Sequence, residues 1–393
     1  MTKPWLARDL LGDATRELDP AVGEYFFGAA DRELLMRRNY RAWQRYAITP
    51  AYLRRPANVA CSTEFRGRSF SCPLIVAPVA FQSLLDPTGE PGLAFAAGVA
   101  GVGYTVSTRS SRRLTAVAEA FALGQSIEPE DVIDLDQRHR ALLERWRHQR
   151  RAELWLQLYQ TRNHDFVEQL VETAAKVGVR AAALTIDTPH LGARYHDQTN
   201  VFSPLDRLRR VLEPADQDGP AFGDGFSGTE IDQEPNLDLD QFVRDCEAHG
   251  LDPIVKGILS TGDLAAMHET HIDAGPIVPW VSNHGGRQSD LVPSTAEALA
   301  RLSALGHHDE FVVDGGIAAP SDALVAIALG ASVVAIGRPV MAAFAIGGVR
   351  GAMEYLLEFR SQLHSQLTIL GYDSPRALVS NAVREYSSGL DDV

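Results

Sequence analysis

Cysteine is scarce in this chain. Only Cys61, Cys72 and Cys246 occur among 393 residues, and no two of them have the CxxC spacing. Such an odd and widely separated set argues against a disulfide framework. It predicts reduced thiols in a cytoplasmic protein, without a chemical role.

Several other signals are missing. No apolar run reaches 18 residues, so no membrane span is expected, and the segment MTKPWLARDLLGDATRELD has no continuous apolar stretch that would mark a secretory signal. The net charge of −14 argues against a general binder of nucleic acids or anionic membranes. There is no GxxxxGK[ST] loop, and GDGFSG at 223–228 follows no strand, which makes it a chance match to a dinucleotide motif.

Short runs rich in Val, Ile and Leu recur along the chain, and helical patterns separate them. Such runs are typical of strands buried on both faces. Eight strand–helix units predict an α/β fold, a (β/α)8 barrel, over one domain spanning 1–393. We expect residues 1–70 to form an N-terminal helical cap and LLEFRSQLHSQLTILG to close the outer ring. The eight predicted strands are 73–80, 104–108, 153–159, 181–187, 253–258, 275–283, 310–316 and 331–337.

Two insertions interrupt this rhythm. Residues 124–151 run acidic and then basic, with a narrow apolar stripe of Leu142, Leu143 and Trp146. The pattern favours a salt-bridged surface helix over a partner-binding arm. Residues 195–238 follow strand 4 and are rich in Gly, Pro and Asp, so we expect a lid loop or a disordered segment there.

One lysine lies inside an apolar strand. Lys256 occupies PIVKGI, where the interior of a barrel would desolvate its charge. It could pair with a carboxylate in the core, face a group that becomes anionic, or form a Schiff base. The chemistry of such barrels lies at the C-terminal ends of the strands, which favours a functional lysine.

The ends of strands 4 and 6 carry further charged side chains. Arg194 and Arg287 would place two guanidinium groups at one mouth, which suggests a substrate with a carboxylate. His284 is then the natural base, and Asp187 could bind its other ring nitrogen. The turns DGGIAAPSD and AIGRPV after strands 7 and 8 match the usual phosphate site of such barrels, so we expect a cofactor that bears a phosphate.

Taken together, the motifs SNHGGRQ, LTIDTPHLGAR, PIVKG, LQLY and DGG…ALGA…IGRPV resemble the FMN-dependent 2-hydroxy acid oxidase and dehydrogenase family, which includes glycolate oxidase, lactate oxidase and mandelate dehydrogenase. The resemblance covers nearly the whole chain. It implies an enzyme that oxidises a 2-hydroxy acid to a 2-oxo acid with FMN and passes the electrons to O2 or another acceptor. It also implies a homo-oligomer, a tetramer by the family pattern.

The resemblance implies a role for each matched residue. His284 resembles the catalytic base with Asp187 behind it, and Lys256 resembles the lysine beside flavin N1 and its C2 oxygen. The substrate carboxylate would be bound by Tyr25, Arg194 and Arg287, with Tyr159 near the substrate hydroxyl. No metal is expected. The cofactor residues would be Ala77, Pro78, Val79, Ala80, Ser107, Gln157, Thr185 and Ser282 at the flavin ring, and Asp314, Gly315, Gly316, Gly337 and Arg338 at the ribityl phosphate. Gly285 and Gly286 would let the backbone approach substrate and flavin.

Two positions depart from the family pattern. Ala318 stands where the family usually has an arginine, so Arg338 and backbone amides would carry more of the phosphate. Arg109 stands where many relatives have Trp or Phe over the distal side of the substrate. Arg112 and Arg113 follow it, and we expect them in the first turn of the next helix, where cations are disfavoured. The cluster could pair with acidic residues of the lid loop (Asp206, Asp216, Asp218, Glu230), or Arg109 could meet a second anionic or polar group of the substrate.

Two functions of other kinds remain as alternatives. An FMN barrel can act without net oxidation, as some isomerases do, and a barrel can persist as a binding protein that no longer catalyses a reaction. The base and the carboxylate clamp are both present, which favours oxidation. Ala80 would leave room for oxygen near the flavin, but this small side chain alone does not establish O2 as the electron acceptor.

Overall fold

The computed structural model describes residues 3–133, 135–159, 161, 164–195, 203–217, 238–270, 277–305, 310–378 and 382–385. The chain begins with three helices, α1 (Leu10–Glu17), α2 (Pro20–Phe27) and α3 (Leu34–Trp43). Asp9 and Asp19 cap the first two, because their side chains accept hydrogen bonds from the amides of Gly12 and Ala21.

The expected helical cap ends at Trp43, so the prediction over 1–70 is wrong for its second half. Strand β1 (Tyr46–Ile48) pairs with the last strand, β12 (Val383–Glu385). Strands β2 (Thr63–Phe65) and β3 (Arg68–Phe70) form a hairpin. Its Phe65 and Phe70 pack on Trp155 inside the barrel, so the hairpin covers the N-terminal end of the barrel.

The eight predicted strands are all present and close into one parallel barrel, as expected. Each strand pairs with the next along the chain, and the last pairs with the first. The interior is filled by side chains such as Ile75, Trp155, Ile254 and Trp280, so the barrel is a packed core with its mouth at the C-terminal ends of the strands. The strands are β4 (Leu74–Val76), β5 (Gly103–Ser107), β6 (Leu154–Leu158), β7 (Ala181–Thr185), β8 (Asp252–Ile258), β9 (Val278–Val281), β10 (Phe311–Val313) and β11 (Ala331–Ile336).

Helices surround the barrel, and the last one closes the ring as predicted. They are α4 (Gly89–Ala100), α5 (Leu114–Ser126), α6 (Gln137–Arg145), α7 (His164–Lys176), α8 (Pro204–Val211), α9 (Leu239–Ala248), α10 (Thr261–Thr270), α11 (Thr295–Ser303), α12 (Pro320–Ala328) and α13 (Arg338–Leu370). By length and composition alone, α13 could cross a membrane, and it is the one such helix in the described part of the chain. Two thirds of its apolar window is buried, and a non-helical Gly348 (φ 59°, ψ −150°) interrupts it.

The charged insertion 124–151 contains the predicted helix, α6. Leu143 and Trp146 are buried, while Arg147 forms ion pairs with Glu130 and Glu144 on the exposed side. The insertion is also fixed to the barrel, because the buried guanidinium of Arg360 lies 4.5 Å from the Trp146 ring centroid. The helix is therefore an integral part of the outer layer.

Part of the predicted lid loop belongs to the described residues. Within 195–238, helix α8 and the residue that follows it place Leu208 and Leu212 against Phe81, next to Tyr25 and Ala80. Residues 218–237, which include GDGFSG, lie outside the described residues.

The three cysteines are free thiols in the core, as predicted from their number and spacing. Burial raises the pKa of the Cys61 thiol to about 12, which makes it a poor nucleophile at neutral pH.

Candidate active site

A cavity opens at the C-terminal ends of the barrel strands. It is partly open to solvent, and residues of the barrel strands, their loops and the N-terminal cap line it. The predicted site residues that line it are Tyr25, Ala77, Pro78, Val79, Ala80, Ser107, Arg109, Gln157, Tyr159, Thr185, Arg194, Lys256, His284, Arg287, Asp314, Gly315, Gly316, Gly337 and Arg338. Asp187 and Ser282 do not line it and instead lie behind the lining, bonded to His284 and Lys256.

His284 is held in a fixed orientation by two contacts. Its Nδ1 lies 2.8 Å from Oδ1 of Asp187, and its amide donates to Oγ of Ser282 at 3.1 Å. Burial alone would raise the pKa of the Asp187 carboxyl, but the nearby His284 and Lys256 outweigh it and lower that pKa. Because the ionised carboxylate engages Nδ1, the Nε2 atom is the one left for chemistry in the cavity.

Gln288 connects the loops that carry the base and the clamp. Its Nε2 donates to the carbonyls of Asp187 and His190 at 3.0 and 3.1 Å, and its Oε1 accepts from the Gly192 amide at 3.1 Å. Gln288 is the last residue of the motif SNHGGRQ, but no role was predicted for it from the sequence. It positions Asp187, and the segment leading to Arg194, relative to His284.

Lys256 is buried and has two polar partners. Its Nζ lies 2.8 Å from Ser282 Oγ and 3.2 Å from Asp314 Oδ2, and the Ser282 hydroxyl donates to Asp314 Oδ1 at 2.7 Å. Burial lowers the pKa of Lys256, but Asp314 and Asp187 outweigh it, so the net shift is upward. The lysine is therefore a fixed cation at the cavity wall. A charged amine is not a nucleophile, which argues against the Schiff-base alternative.

The substrate end of the cavity is rich in arginine and tyrosine. Arg287 lies 5.4 Å from the Tyr25 ring centroid and donates to the Gly28 carbonyl at 2.9 Å, so the cap helix α2 helps to place it. Arg109 lies 6.0 Å from the Tyr159 ring centroid. The pKa of Tyr159 is raised, mainly by burial. With Arg194, these residues surround the space in front of His284.

A chain of hydrogen bonds orders the polar side chains of three neighbouring strands. The Ser107 hydroxyl donates to Gln157 Oε1 at 3.1 Å, and Gln157 Nε2 donates to Thr185 Oγ1 at 2.9 Å. These contacts fix the orientation of the Gln157 amide. The floor of the cavity thus offers a fixed row of polar groups, which suits a planar heterocycle.

The phosphate end differs from expectation. The Nη1 and Nη2 atoms of Arg338 donate to the carbonyls of Gly285 and Gly28, both at 2.9 Å. Its buried Nε has no hydrogen-bond partner in the described parts of the chain. The amides of Ala318 and Ala319 donate to Asp322 at 3.0 and 2.9 Å, so they are not available to a phosphate. A phosphate would be bound by Arg338 and the turns of Gly315, Gly316 and Gly337, not by the amides beyond them.

Gly285 and Gly286 differ in what they approach. Gly285 lines the cavity, so its expected approach to substrate and flavin stays a prediction, and a Cβ there would lie 3.0 Å from Arg338 Nη1. A Cβ on Gly286 would lie 2.8 Å from the Met36 amide nitrogen, so this glycine admits the cap helix α3. Gly285 and Gly286 have positive φ angles of 65° and 78°.

The three arginines, Arg109, Arg112 and Arg113, lie in different surroundings. Helix α5 begins at Leu114 and Arg113 is its N-cap residue, so the expectation of two arginines in the first turn was wrong. Arg112 pairs with Asp216 at 2.8 Å, as the alternative of pairing with the lid loop predicts. Asp218 and Glu230 lie outside the described residues, and Asp206 pairs with Arg209 at 3.5 Å. Arg109 alone of the three lines the cavity beside Tyr159.

Several lining residues were not predicted as site residues. They are Phe26, Tyr40, Thr188, Leu191, Ile317, Ala335, Pro339 and Met341. Five of them, Thr188, Leu191, Ile317, Ala335 and Pro339, lie within the motifs LTIDTPHLGAR, DGGIAAPSD and AIGRPV, beside residues that were predicted. Phe26, Tyr40 and Met341 lie outside these motifs, and no local pattern would have assigned them to the site.

Comparison with known proteins gives a consistent result. The family model described as FMN-dependent dehydrogenase matches residues 14–385. The 2-hydroxyacid oxidase 2 of Bos taurus is 30% identical over 92% of this chain and 93% of its own length. The L-lactate oxidase of a Nostoc species is 30% identical over 91% and 92%. A crystal structure of mandelate oxidase with (S)-4-hydroxymandelic acid superposes with a TM-score of 0.77, at 30% identity, over 96% of this chain and 98% of that one.

Proposed function

Because this chain belongs to the FMN-dependent dehydrogenase family, we propose that it oxidises a 2-hydroxy acid to the corresponding 2-oxo acid, with FMN as its cofactor. The observation that carries the proposal is the His284–Asp187 pair, which faces the same cavity as Arg194, Arg287 and the buried cation of Lys256. The base, the carboxylate clamp and the fixed cation that such a reaction requires therefore lie together.

The residues present fit FMN. The polar row Ser107, Gln157 and Thr185 lies along one side of the cavity, and the unpartnered Nε of Arg338 lies at its other end with Gly315 and Gly316. When bound, FMN supplies the two-electron acceptor of the reaction. Lys256 would place its positive charge against the ring, and Arg338 would bind the phosphate.

The side chains of this chain divide the work of the reaction. Arg287, Arg194 and Tyr25 bind the carboxylate of the substrate, which presents the reacting carbon in one orientation. His284 Nε2 takes one proton, either from that carbon or from the hydroxyl group. Asp187 stabilises the imidazolium that results, because its carboxylate already accepts from Nδ1. Tyr159 lines the same cavity and would lie near the hydroxyl group of the substrate.

For the electron acceptor we favour O2. Relatives that match over nine tenths of the chain carry the names 2-hydroxyacid oxidase and L-lactate oxidase, and Ala80 places only a small side chain at the cavity. A dehydrogenase that uses another acceptor is the alternative. Stoichiometric hydrogen peroxide per 2-oxo acid would support the oxidase, whereas a reduced flavin that is stable in air would favour the dehydrogenase.

One experiment tests the function itself. The holoenzyme is mixed anaerobically with a panel of 2-hydroxy acids, and the absorbance of the oxidised flavin is followed. We expect at least one member to bleach the flavin and air to restore the colour. An isomerase or a binding protein would leave the flavin oxidised with every member of the panel.

The substrate class follows from Arg109. Where an aromatic residue would form an apolar wall, this chain has a guanidinium beside Tyr159, 6.0 Å from its ring centroid. We infer a substrate with a second anionic or strongly polar group, because such a group can bind this cation on the distal side of the cavity.

An Arg109→Phe variant tests that inference. We expect the ratio of kcat/KM for an anionic to that for an aryl 2-hydroxy acid to fall by about tenfold or more, since a charged hydrogen bond is worth about 1.5–3 kcal/mol. Arg112→Ala, which removes the ion pair with Asp216 and the hydrogen bond to the Pro87 carbonyl at 2.9 Å but no contact in the cavity, is the matched control. A ratio that does not move in Arg109→Phe would remove Arg109 from substrate recognition.

The cellular location and the oligomeric state are two further proposals. We expect a cytoplasmic protein, on the basis of three reduced and buried thiols. We also expect a homo-oligomer, a tetramer by the family pattern. The mass in solution, measured by light scattering on the purified holoenzyme, decides the second.

A further inference from the structure

Two loops form the wall of the cavity next to strands β4 and β5. The β4 loop (residues 77–85) carries Ala80, and the β5 loop (residues 108–113) carries Arg109, and both of these residues line the cavity. The loops touch directly, because the Phe81 amide donates to the Arg109 carbonyl at 3.2 Å. Their relative position therefore decides where the guanidinium of Arg109 stands.

Glu90, on the second residue of helix α4, joins these loops from behind. Its side chain is fully buried. Its Oε1 accepts from the amide of Gln82, in the β4 loop, at 3.1 Å and from the amide of Ser111, in the β5 loop, at 2.8 Å. Its Oε2 is bonded to the Ser111 hydroxyl. One carboxyl group thus holds both loops.

A second layer of contacts extends this link toward the cavity. The Ser111 and Ser83 hydroxyls lie 2.8 Å apart, and the Ser83 amide donates to Ser111 Oγ at 3.2 Å. Gln82 Nε2 donates to the Val79 carbonyl at 3.0 Å. Gln82 therefore connects Glu90 to Val79, the residue before Ala80.

A neutral side chain can make the bonds of this network. The Ser111 hydroxyl has one proton, which it gives either to Glu90 Oε2 or to Ser83 Oγ, and in the second arrangement Glu90 Oε2 carries the proton of the Glu90–Ser111 bond. Burial raises the pKa of Glu90 in spite of the hydrogen bonds from Ser111 and Gln82. A glutamine would make the same set of bonds, since Oε1 would accept both amides and Nε2 would donate to Ser111.

We propose that Glu90 is a positioning residue that joins the β4 and β5 loops and thereby sets the place of Arg109 in the substrate pocket. The kinetic test of this role rests on the proposed function, because it measures the oxidation of a 2-hydroxy acid. Loss of one charged hydrogen bond weakens binding by about tenfold or more, so a displaced Arg109 would raise KM although Glu90 itself does not line the cavity.

The test compares Glu90→Ala with Glu90→Gln and with Glu153→Ala. Glu153 is another buried carboxylate, bonded to Arg68 and Trp155 at the opposite end of the barrel, so its removal controls for a general loss of stability. For Glu90→Ala we expect KM for the best 2-hydroxy acid, and the Kd of its 2-oxo product, to rise about tenfold or more, with kcat less affected. Glu90→Gln should restore both values, and Glu153→Ala should leave them unchanged.

A readout that needs no activity accompanies the kinetics. Limited digestion with trypsin should cut after Arg109, Arg112 or Arg113 faster in Glu90→Ala than in the wild type, Glu90→Gln or Glu153→Ala. If Glu90→Ala does not fold, Ser111→Ala, which removes only the hydroxyl link, should show the same changes at smaller size.

Two results would overturn the proposal. One is a Glu90→Ala or Ser111→Ala enzyme with the wild-type KM, product Kd and cleavage pattern. The other is an equal rise of KM in Glu153→Ala. If none of the 2-hydroxy acids reduces the flavin of the wild-type enzyme, the proposed function fails. The tryptic comparison still decides the role of Glu90 in that case.

Discussion

At the scale of single residues, His284 combines a strained backbone with a fixed side chain. Its φ of 55° is uncommon for a residue with a Cβ, and the next two residues are glycines with φ values of 65° and 78°. Such strain persists only where the surroundings impose it. Here the contacts to Ser282 and Asp187 do so, and they aim the imidazole at the cavity.

Replacing His284 by alanine tests its role as the base. We expect His284→Ala to retain FMN and to reduce its flavin about 10²- to 10⁴-fold more slowly with a good substrate, as is usual when a general base is lost. Stopped-flow absorbance under anaerobic conditions gives the rate. His190→Ala, an exposed histidine four residues before Arg194, is the control and should behave as the wild type. Reduction within a few-fold of the wild-type rate would exclude His284 as the base.

The two clamp arginines can be tested together. We expect Arg194→Met and Arg287→Met to bind a 2-oxo acid about 10- to 150-fold more weakly while the flavin spectrum is retained. Arg287 also donates to the cap through the Gly28 carbonyl, so Arg287→Met should lower the melting temperature as well. Titration against flavin absorbance measures the affinity, and unchanged dissociation constants in both variants would refute the clamp.

At the scale of elements, the cap helix α3 is docked directly on the catalytic loops. Asn39 and Asn283 exchange side-chain hydrogen bonds at 2.9 and 2.8 Å, and Trp43 Nε1 donates to the Gly315 carbonyl at 2.9 Å. A Cβ on Gly316 would lie 2.5 Å from the backbone carbon of Asn39. The helix therefore needs a glycine beneath it.

A pair of glycine variants separates this contact from backbone strain. Gly316 and Gly67 have similar φ values, 78° and 69°, but a Cβ on Gly67 meets nothing within 4 Å. Both Gly316→Ala and Gly67→Ala should lose about 1–2 kcal/mol for the left-handed backbone. Only Gly316→Ala should lose more than this and bind FMN more weakly, as measured by flavin fluorescence during reconstitution. Equal losses of stability and normal FMN affinity would show that α3 can shift without consequence.

At the scale of the whole molecule, a buried histidine joins three distant segments. His139 of α6 places Nδ1 2.8 Å from Asp136 and Nε2 3.1 Å from Glu358 of α13, and Glu354 lies 3.7 Å from Nδ1. Trp5 donates to Glu354 at 2.8 Å, which brings in the N-terminal segment. Carboxylates can only accept, so both ring nitrogens must carry protons. Burial lowers the pKa of His139, but these carboxylates outweigh it and raise that pKa.

The sign of this shift predicts how stability depends on pH. A raised folded-state pKa contributes stability that is complete below the ordinary value of 6.5 and is lost as the pH rises through the raised value. His139→Gln should cost about 3–5 kcal/mol at pH 6, because it breaks a buried ion pair. The difference from the wild type should shrink as the pH rises through that raised value, because the wild-type histidine then loses its charge.

Urea unfolding at pH 6 and at a series of higher pH values measures the difference. Arg138 and Arg350 also contact Glu358 and Glu354. Arg138→Ala, which removes an exposed cation from the buried Glu358, serves as the control and should show little dependence on pH. A difference between His139→Gln and the wild type that does not change with pH would contradict a buried imidazolium.

The sequence by itself determined the barrel and its chemical groups. Apolar runs and glycine turns are local patterns, so all eight strands could be predicted. Lys256 within a strand, and His284 and Arg287 after the end of another, could be predicted as site residues for the same reason. The tertiary structure alone decided which groups meet. It assigned the Arg338 guanidinium to two backbone carbonyls, Gly286 to the cap helix and Glu90 to two loops. The physical reason is that these contacts join elements that are far apart in the chain, and their approach depends on the packing of the whole core. Hydrophobic periodicity predicts local secondary structure but not contacts between distant elements.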